Sequence, residues 1–243
     1  MNPVLITGAA AGIGLATARL LIGEGTAIIG IDREPIPDLG PLATGLQADL
    51  ADPAEIERVI ADAVARAPSI GGLVNCAGIY PVTPMLEMEA AEWDAVLAVN
   101  LRAPFLVTRA LARHWQATGA TGRVVNVAST AAVLARPGVA HYAASKAGLV
   151  QLTRVMAVEL APLGVQVNAV APGLIATEKV VAHAQGAGAA EHQAKLARIP
   201  AAREGQPEEV ARAIRWLLSP DSAYATGAVL TLDGGFTLGI PAY

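Results

Sequence analysis

The sequence predicts an α/β fold in which helices cover both faces of a parallel sheet. Short apolar runs alternate along the chain with longer segments of helical periodicity, which is the pattern of repeated βαβ units. Apolar residues make up 53% of the 243 residues but aromatic residues only 4%, so that Ala, Val, Leu and Ile must form the core. Such side chains suit helices that pack closely against a buried sheet.

Seven apolar runs are predicted to be the strands of this sheet. They cover residues 4–6, 27–31, 45–47, 73–75, 124–127, 166–170 and 229–232. Between them, apolar residues recur at the i, i+3, i+4 spacing of helices, for example over 54–65 and 93–115. Residues 33–44 contain three prolines and a glycine, so we expect no full helix in that connection. No Pro/Ser-rich linker and no internal repeat divides the chain, which predicts a single domain over residues 1–243.

Charge, cysteine content and histidine spacing argue against several kinds of partner and site. The net charge is -4 and no basic stripe is present, so we expect no nucleic-acid partner. The single cysteine, Cys76, cannot form an internal disulfide, which favours a cytoplasmic location. Residues 4–18 carry no charge, but no basic residue precedes them and polar or glycine residues interrupt them, so we expect no membrane association. His183 and His192 lack a third ligand at a suitable spacing, and no metal site is expected.

A glycine-rich stretch, TGAAAGIG at residues 7–14, directly follows the first predicted strand and opens a helix. Glycines at such a turn allow backbone N–H groups and the positive end of the helix to approach a pyrophosphate. A tight turn in an Ala/Gly-rich chain is the alternative interpretation. The candidate cofactor contacts in this stretch are Gly8, Ala11, Gly12, Ile13 and Gly14. With this turn, the predicted fold is a Rossmann-type, doubly wound, seven-stranded parallel sheet with helices on both faces.

Asp32 ends the second predicted strand 18 residues after Gly14. A carboxylate at about this spacing, roughly 20 residues, accepts hydrogen bonds from the adenosine ribose and repels a 2′-phosphate, which favours NAD over NADP. Arg33 argues the other way, because a guanidinium there would bind that phosphate unless it is only a solvated loop residue. No basic residue lies in the glycine turn itself, so NAD is the expected cofactor.

The segment HYAASK, residues 141–146, places Tyr142 and Lys146 on one face of a predicted helix. The chain has three lysines against fourteen arginines. A chance Tyr-x-x-x-Lys with a serine thirteen residues upstream, where Ser129 stands, therefore has a probability of roughly 0.1%. The ammonium, together with a cationic nicotinamide ring, would lower the pKa of Tyr142 and make it an acid/base at neutral pH. Ser129 follows an apolar strand and would orient a substrate oxygen, although a turn cap is the commoner role of such a serine.

Seven ordered motifs make the chain resemble the short-chain dehydrogenase/reductase family over essentially its whole length. They are TGAAAGIG, ADL at 48–50, NCAG at 75–78, Asn100, Ser129 with YAASK, PGLIAT at 172–177 and LDGG at 232–235. The resemblance implies that Tyr142 is the acid/base, Ser129 the anchor of the substrate oxygen and Lys146 a ribose ligand that lowers the pKa of Tyr142. Asn100 would hold a water that links Lys146 to solvent. The family also implies a homotetramer.

The same resemblance implies further cofactor contacts. Asp49 and Leu50 would contact the adenine, and Asn75, Ala77 and Gly78 would line the cofactor. On the nicotinamide side, the implied contacts are Pro172, Gly173, Ile175 and Thr177, of which the last two would hold the carboxamide. Cys76 and the short second crossover depart from the family pattern without touching the catalytic positions.

The substrate side of the site is predicted from position and composition. Residues 178–203 are rich in Gly and Ala and are expected to form a mobile lid, with an ordinary exposed helix pair as the alternative. The basic residues of this segment suit an anionic substrate or simply a solvated face: they include Lys179, His183, His192, Lys195 and Arg198. The expected pocket wall is mostly apolar and consists of Tyr80, Pro81, Val82, Ala131, Val133 and Leu134. His141 either lines the pocket entrance or is a surface histidine.

Three functions remain open from the sequence. The first is hydride transfer between NAD(H) and a small-molecule secondary alcohol or ketone with an apolar body. The second is oxidation of a cyclic dihydrodiol, because the short crossover and the ending DGGFTLG are similar to those of 2,3-dihydro-2,3-dihydroxybenzoate dehydrogenases. The third is a nucleotide-sensing or scaffold protein without chemistry. An acyl-carrier ketoreductase is disfavoured because such enzymes generally prefer NADPH, which Asp32 opposes.

Overall fold

The computed structural model describes residues 2–186 and 188–239, which form a seven-stranded, wholly parallel sheet. Its strands are β1 (Val4–Thr7), β2 (Ile28–Asp32), β3 (Ala43–Gln47), β4 (Gly72–Asn75), β5 (Arg123–Val127), β6 (Gln166–Pro172) and β7 (Val229–Leu232). The strand order is β3-β2-β1-β4-β5-β6-β7, so the direction of winding reverses between β1 and β4. The predicted Rossmann-type, doubly wound fold is confirmed, and each predicted strand agrees with the observed one to within two residues at either end.

Helices cover both faces of the sheet, as the composition predicted. They are α1 (Gly12–Gly23), α2 (Pro53–Arg66), α3 (Ala90–Leu97), α4 (Ala103–Thr118), α5 (Ala140–Leu160), α6 (Glu178–Ala184), α7 (Ala189–Leu196) and α8 (Pro207–Leu218). Alternate residues of a strand point to opposite faces. Val4 and Ile6 accordingly pack with α1 and α8, whereas Leu5 packs with α2, α4 and α5. The five central strands are therefore buried on both sides, which explains their continuous apolar runs, whereas the edge strands β3 and β7 are partly exposed.

The connection between β2 and β3 contains no helix, as its prolines predicted. Ile36 of this connection packs over the sheet instead, directly above Gly30 and Gly45. A Cβ on Gly30 would stand 2.6 Å from the Ile36 Cδ1 atom, so a side chain there would push the end of the Ile36 side chain away from the sheet. Two glycines in adjacent strands thus let one isoleucine cover a part of the sheet that would otherwise need a helix.

The predicted helix over 93–115 is longer in the structure and is interrupted by a wider turn. Helices α3 and α4 are joined by a π-helical turn, Ala98–Arg102, which carries Asn100. The combined helix Ala90–Thr118 is long and apolar enough to cross a membrane by length and composition alone, but half of its most apolar window is buried inside the fold. Core helices of globular domains meet the same criterion, so this helix by itself is weak evidence for a membrane span.

Residues 178–203, the expected lid, contain the two short helices α6 and α7. The arrangement has the helix pair that was the alternative interpretation, and the mobility of the segment stays a prediction. His192 is buried within it, and its Nε2 lies 2.9 Å from Glu204 Oε1. The side chain of His183 and residue 187 lie outside the described part of the structure.

Candidate active site

The candidate site lies at the carboxyl edge of the sheet, where the winding reverses between β1 and β4. Ligands of open α/β sheets bind in the crevice at such a point. Thr7 at the end of β1 accepts hydrogen bonds on its hydroxyl oxygen from the backbone N–H groups of Cys76 (3.1 Å) and Ala77 (3.2 Å). These contacts hold the loop that follows β4 against the glycine turn. Thr7 was not predicted to have this role because its partners lie about 70 residues away in the chain.

The glycine turn is built so that no side chain fills the space where a cofactor would approach. Gly8 has a φ of +71°, and a Cβ there would stand 2.8 Å from the backbone of Ala77. A Cβ on Gly14 would overlap the carbonyl oxygen of Gly8. Ala11, at the N-cap of α1, offers no side-chain cap to the first N–H groups of the helix. These N–H groups therefore keep the capacity to bind an anion.

A carboxylate already uses one of these N–H groups. Gly12, the first residue of α1, donates its backbone N–H to Glu178 Oε2 at 3.2 Å. Thr177 lies beside the same residue, because a Cβ on Gly12 would stand 3.2 Å from its Cγ2. The start of the expected lid thus touches the glycine turn, and the contact shows that this helix end accepts negative charge, as a pyrophosphate site requires.

Asp32 and Arg33 end β2 beside the glycine turn. Asp32 accepts hydrogen bonds from the backbone N–H groups of Ala10 (3.0 Å) and Glu34 (3.1 Å). The Arg33 side chain is 70% exposed and its Nε lies 3.6 Å from Glu34 Oε1. The carboxylate is therefore held at the turn, whereas the guanidinium is solvated and partly neutralised.

The remaining predicted cofactor contacts lie along the same edge of the sheet with different degrees of burial. Leu50 is buried, while Asp49 is exposed and accepts the backbone N–H of Ala51 on its own carboxylate. Asn75 is buried and its amide donates to Thr108 and Asn126, so that its side chain points into the core. The Oδ1 atom of the same amide is buried without a hydrogen-bond partner among the described residues.

On the other side of the crevice, Pro172 ends β6 and Gly173 donates its N–H to the Leu232 carbonyl. A Cβ on Gly173 would stand 2.8 Å from Asp233 Cβ, so glycine is needed for this close approach. Ile175 is buried and pairs with Gly205 through a parallel bridge. These contacts fix the strand end from which Thr177 extends toward Gly12.

The predicted catalytic side chains Ser129, Tyr142 and Lys146 come together between β5 and α5. Lys146 donates from Nζ to the Val127 carbonyl at 2.8 Å, and Nζ lies 5.7 Å from the centroid of the Tyr142 ring. The Ser129 hydroxyl lies close enough to Tyr142 to lower the pKa of the phenol, and it accepts the N–H of Ala131 at 3.1 Å. The turn cap is therefore present in the structure, and the role of Ser129 as the anchor of a substrate oxygen stays a prediction.

The pKa values of Tyr142 and Lys146 are both shifted by burial. Burial raises the pKa of Tyr142, and this rise is opposed mainly by the hydrogen bond with Ser129 and by the charge of Arg136. Burial also lowers the pKa of Lys146 to about 8. Lys146 is not among the groups that act on the Tyr142 pKa in the protein alone. The expectation that Lys146, together with a bound cationic ring, lowers this pKa therefore stays a prediction.

Asn100 lies in the π-helical turn and is fully buried. Its side chain accepts from the N–H of Ile79 at 2.9 Å, donates to the Ile79 carbonyl at 2.9 Å and donates to the Ser145 hydroxyl at 3.2 Å. A Cβ on Gly78 would stand 3.3 Å from Asn100 Oδ1 and 3.7 Å from Lys146 Nζ, so glycine keeps this space open. The side chain therefore ties the loop after β4 to α5, next to Lys146.

His141 is neither a surface residue nor a residue of the pocket entrance, because its side chain is fully buried. Its Nδ1 accepts the backbone N–H of Tyr142 at 2.8 Å, and its Nε2 lies 2.9 Å from Glu92 Oε1. The same carboxylate oxygen accepts the hydroxyl of Thr83 at 2.7 Å. The N–H of Tyr142 lies in the first turn of α5, where no backbone acceptor exists, so His141 caps the amide of the predicted catalytic residue itself. Glu92 was missed by sequence reasoning because it is 49 residues from His141.

A separate groove of about 750 Å³ lies on the outer side of the helices, away from these residues. It is lined by Asp94, Leu97, Ala98, Leu101, Arg102, Phe105, Gly148 and Leu152. None of the predicted catalytic or cofactor-binding residues borders it, so this groove is not the candidate active site.

Comparison with known proteins shows to which family this chain belongs. A family model described as enoyl-(acyl carrier protein) reductase matches residues 8–237. The chain belongs to the short-chain dehydrogenase/reductase family. Among curated relatives of this dehydrogenase/reductase, 3-oxoacyl-(acyl-carrier-protein) reductase FabG from Thermotoga maritima is 39% identical over 246 residues, which cover 96% of this chain and 97% of FabG.

Solved structures of similar dehydrogenases agree in fold and differ in cofactor. The complex of 4-hydroxyisoleucine dehydrogenase with NADH has a TM-score of 0.92 at 28% identity and covers 98% of this chain and 100% of that one. A structure described as a 2-deoxy-d-gluconate 3-dehydrogenase from Agrobacterium tumefaciens, with bound NADP, has a TM-score of 0.89 at 36% identity and covers 98% and 96%. The present protein is therefore an oxidoreductase of a family that uses nicotinamide cofactors, and its glycine turn has the open space that such a cofactor needs.

Proposed function

We propose that this dehydrogenase/reductase transfers a hydride between NAD(H) and a secondary alcohol or ketone, with Tyr142 as the acid/base. The observation that carries the proposal is the cluster of Ser129, Tyr142 and Lys146 at the carboxyl edge of the sheet, next to the open glycine turn. When bound, the nicotinamide would supply or accept the hydride. The residues of the chain would orient the substrate oxygen and move its proton.

In the oxidation direction, Tyr142 would take the proton of the substrate hydroxyl, while the hydride would leave the carbon atom that bears this hydroxyl. Ser129 would hold the substrate oxygen through its hydroxyl, since this hydroxyl lies close enough to Tyr142 to lower the pKa of the phenol. Lys146 would contact the cofactor ribose and stabilise the phenolate once the cationic ring is present. Asn100, which anchors the loop beside Lys146, would complete the path to solvent.

The test of this role is the variant Tyr142→Phe, compared with Tyr224→Phe, which alters a fully exposed tyrosine. We expect Tyr142→Phe to lose turnover by a factor of at least about 100 while NAD binding stays intact, because only proton transfer is removed. Turnover can be followed by NADH absorbance with alcohols, sugars, dihydrodiols and ketones. Retained turnover in Tyr142→Phe would remove the proposed role, and turnover of no substrate despite tight NAD binding would favour the sensor or scaffold hypothesis.

For the cofactor we propose NAD rather than NADP. Asp32 is held against the glycine turn, and the exposed Arg33 pairs with Glu34, so the ribose side carries more negative than positive charge. A 2′-phosphate would be repelled there. This preference can be tested by measuring kcat/KM with NAD and with NADP for the wild type and for Asp32→Ala. The variant should lose much of the preference for NAD over NADP. A large preference of the wild type for NADPH would contradict the interpretation of Asp32.

Two alternative substrates follow from specific observations. The high identity to FabG makes an acyl-carrier-protein ketoreductase the first alternative, and the same cofactor comparison separates it from the proposal. The second alternative substrate is a cyclic dihydrodiol. The structure has no helix between β2 and β3, which agrees with the short crossover that made the sequence similar to dihydrodiol dehydrogenases. Aromatisation would be visible as a new ultraviolet absorbance band in addition to NADH.

We further propose that the protein is a homotetramer located in the cytoplasm. Support for the assembly comes from the outer groove along the helices and from the exposed aromatic side chains of Trp93 (36%) and Phe105 (39%) beside it. The single cysteine supports a reducing compartment. Light scattering after gel filtration measures the mass directly, and a monomeric mass at micromolar concentration would contradict the tetramer.

A further inference from the structure

Arg136 lies next to the candidate catalytic tyrosine, in the segment between the Ser129 turn and α5. Its guanidinium carbon is 5.2 Å from the centroid of the Tyr80 ring. The Tyr80 ring in turn meets the Tyr142 ring edge-on, with centroids 4.4 Å apart and an interplanar angle of 85°. The two contacts place the guanidinium within reach of a small molecule whose reacting oxygen lies at Tyr142.

The guanidinium has no acidic partner within the described residues, although it is partly buried. Other arginines of this chain do have one: Arg66 pairs with Asp62, Arg203 with Glu209 and Arg215 with Glu24. Arg136 stacks on an aromatic face instead, which orients its plane and leaves its N–H donors unused. Such a fork matches the geometry of a carboxylate.

The charge of Arg136 also acts on the reaction centre. It is close enough to Tyr142 to oppose the rise of the tyrosine pKa that burial causes. An arginine that pointed away into solvent would be screened and would have little such effect. The guanidinium therefore lies near both aromatic rings, in contact with Tyr80 and close to Tyr142, to which the oxygen of the substrate in the proposed reaction would bind.

Three of the cations that the sequence suggested for an anionic substrate, in residues 178–203, have other contacts. Arg198 stacks on Phe236 with its guanidinium carbon 5.4 Å from the ring centroid, and His192 pairs with Glu204. Lys195 also has a partner in the structure. Arg136, by contrast, comes from the segment after Ser129 and stacks on Tyr80, a residue of the expected apolar wall.

We propose that Arg136, oriented by Tyr80, binds a carboxylate of the substrate, so that this enzyme acts on hydroxy acids or oxo acids with an apolar body. The inference rests on the proposed hydride transfer for its reacting carbon. A carboxylate fits better than a phosphate, because a single guanidinium offers one bidentate contact whereas phosphate sites usually combine several donors. The carboxylate would lie a few bonds from the carbon that carries the alcohol or ketone.

The test measures binding first, because binding does not require turnover. Calorimetry with NAD-saturated protein compares cyclohexanecarboxylate with cyclohexanecarboxamide for the wild type, Arg136→Gln, Arg136→Lys and the control Arg113→Gln, which removes an exposed arginine of α4. We expect the wild type and the control to bind the carboxylate about 10- to 100-fold more tightly than the amide. Arg136→Gln should lose this preference, and Arg136→Lys should keep part of it. Unchanged NAD affinity and thermal unfolding show that the variants fold.

Kinetics then separate this inference from the proposed function. Hydroxycycloalkane carboxylates and a carboxylated cyclic dihydrodiol are each compared with their carboxamides, and Arg136→Gln should lower kcat/KM only for the acids. A carboxylate preference that Arg136→Gln abolishes, without turnover of any substrate, would support the subsite while contradicting the hydride transfer. Equal binding of acid and amide by the wild type, or a preference that survives in Arg136→Gln, would overturn the assignment of Arg136.

Discussion

The buried ring of His141 provides a direct test of how the fold positions Tyr142. Its Nδ1 accepts the Tyr142 N–H and therefore carries no proton, so the proton of the neutral ring lies on Nε2 and is donated to Glu92. Two substitutions separate these contacts. In His141→Asn the side-chain oxygen replaces Nδ1 and keeps the cap, whereas in His141→Gln the amide nitrogen replaces Nε2 and keeps the contact with Glu92.

The expected loss of stability in His141→Ala follows from the Tyr142 amide, which this variant leaves without a hydrogen-bond acceptor. Loss of a helix cap costs about 1 kcal/mol, and an unsatisfied buried N–H costs about 1–3 kcal/mol, so His141→Ala should lower the free energy of unfolding by roughly 2 kcal/mol. A displacement of Tyr142 by ~1 Å would reduce kcat by up to about 100-fold. We expect His141→Asn to retain most of kcat and His141→Gln to lose most of it, with little change in the KM for NAD in either.

The assays are urea denaturation for stability and steady-state kinetics for kcat and KM. Thr83→Val serves as a control, because it removes the other donor to Glu92 without touching the Tyr142 amide. If His141→Asn and His141→Gln have the same kcat, or if His141→Ala is destabilised but fully active, the cap does not position the tyrosine and the reasoning is refuted.

Three further predictions concern charged and titratable groups. Burial lowers the pKa of Lys146 from 10.5 to about 8, so between these pH values the folded chain holds fewer protons than the unfolded chain. The free energy of unfolding of the wild type should therefore rise with pH in this range, by up to ~3 kcal/mol, and this slope should be absent in Lys146→Met; a slope that survives in Lys146→Met would contradict the assignment. Burial raises the pKa of the Cys76 thiol to about 12, which acts in the opposite sense above pH 9, so this comparison is made in a Cys76→Ala background. The same raised pKa means that iodoacetamide at pH 8 should label Cys76 far more slowly in the native than in the unfolded protein, and equal rates would contradict the raised pKa. Because Glu178 occupies the N–H of Gly12 at the expected pyrophosphate site, Glu178→Gln should tighten NAD binding about 2- to 5-fold at low salt and less at high salt, whereas weaker binding would show that the carboxylate does not compete.

Much of the fold followed from local patterns. Strands buried on both faces give uninterrupted apolar runs, and three prolines exclude a helix between β2 and β3, so these predictions were confirmed. The residues of the candidate site could also be predicted from local patterns, because Tyr142 and Lys146 are one helical turn apart and Asp32 directly ends a strand. The prediction of Asn75 as a cofactor contact could not distinguish its backbone from its side chain, which the structure directs into the core.

The sequence by itself therefore determined the α/β class and the order of the elements, because each depends on neighbours within a few positions. It also supplied the residues proposed for catalysis, Tyr142 and Lys146 through their helical spacing and Ser129 and Asn100 through the ordered motifs. Only the tertiary structure decided the environment of those residues. Burial sets the direction of the Tyr142 and Lys146 pKa values, and the contacts of His141 with Glu92 and of Arg136 with Tyr80 join segments that are tens of residues apart. Desolvation and long-range contacts are properties of the packed chain, and no spacing along the sequence specifies them.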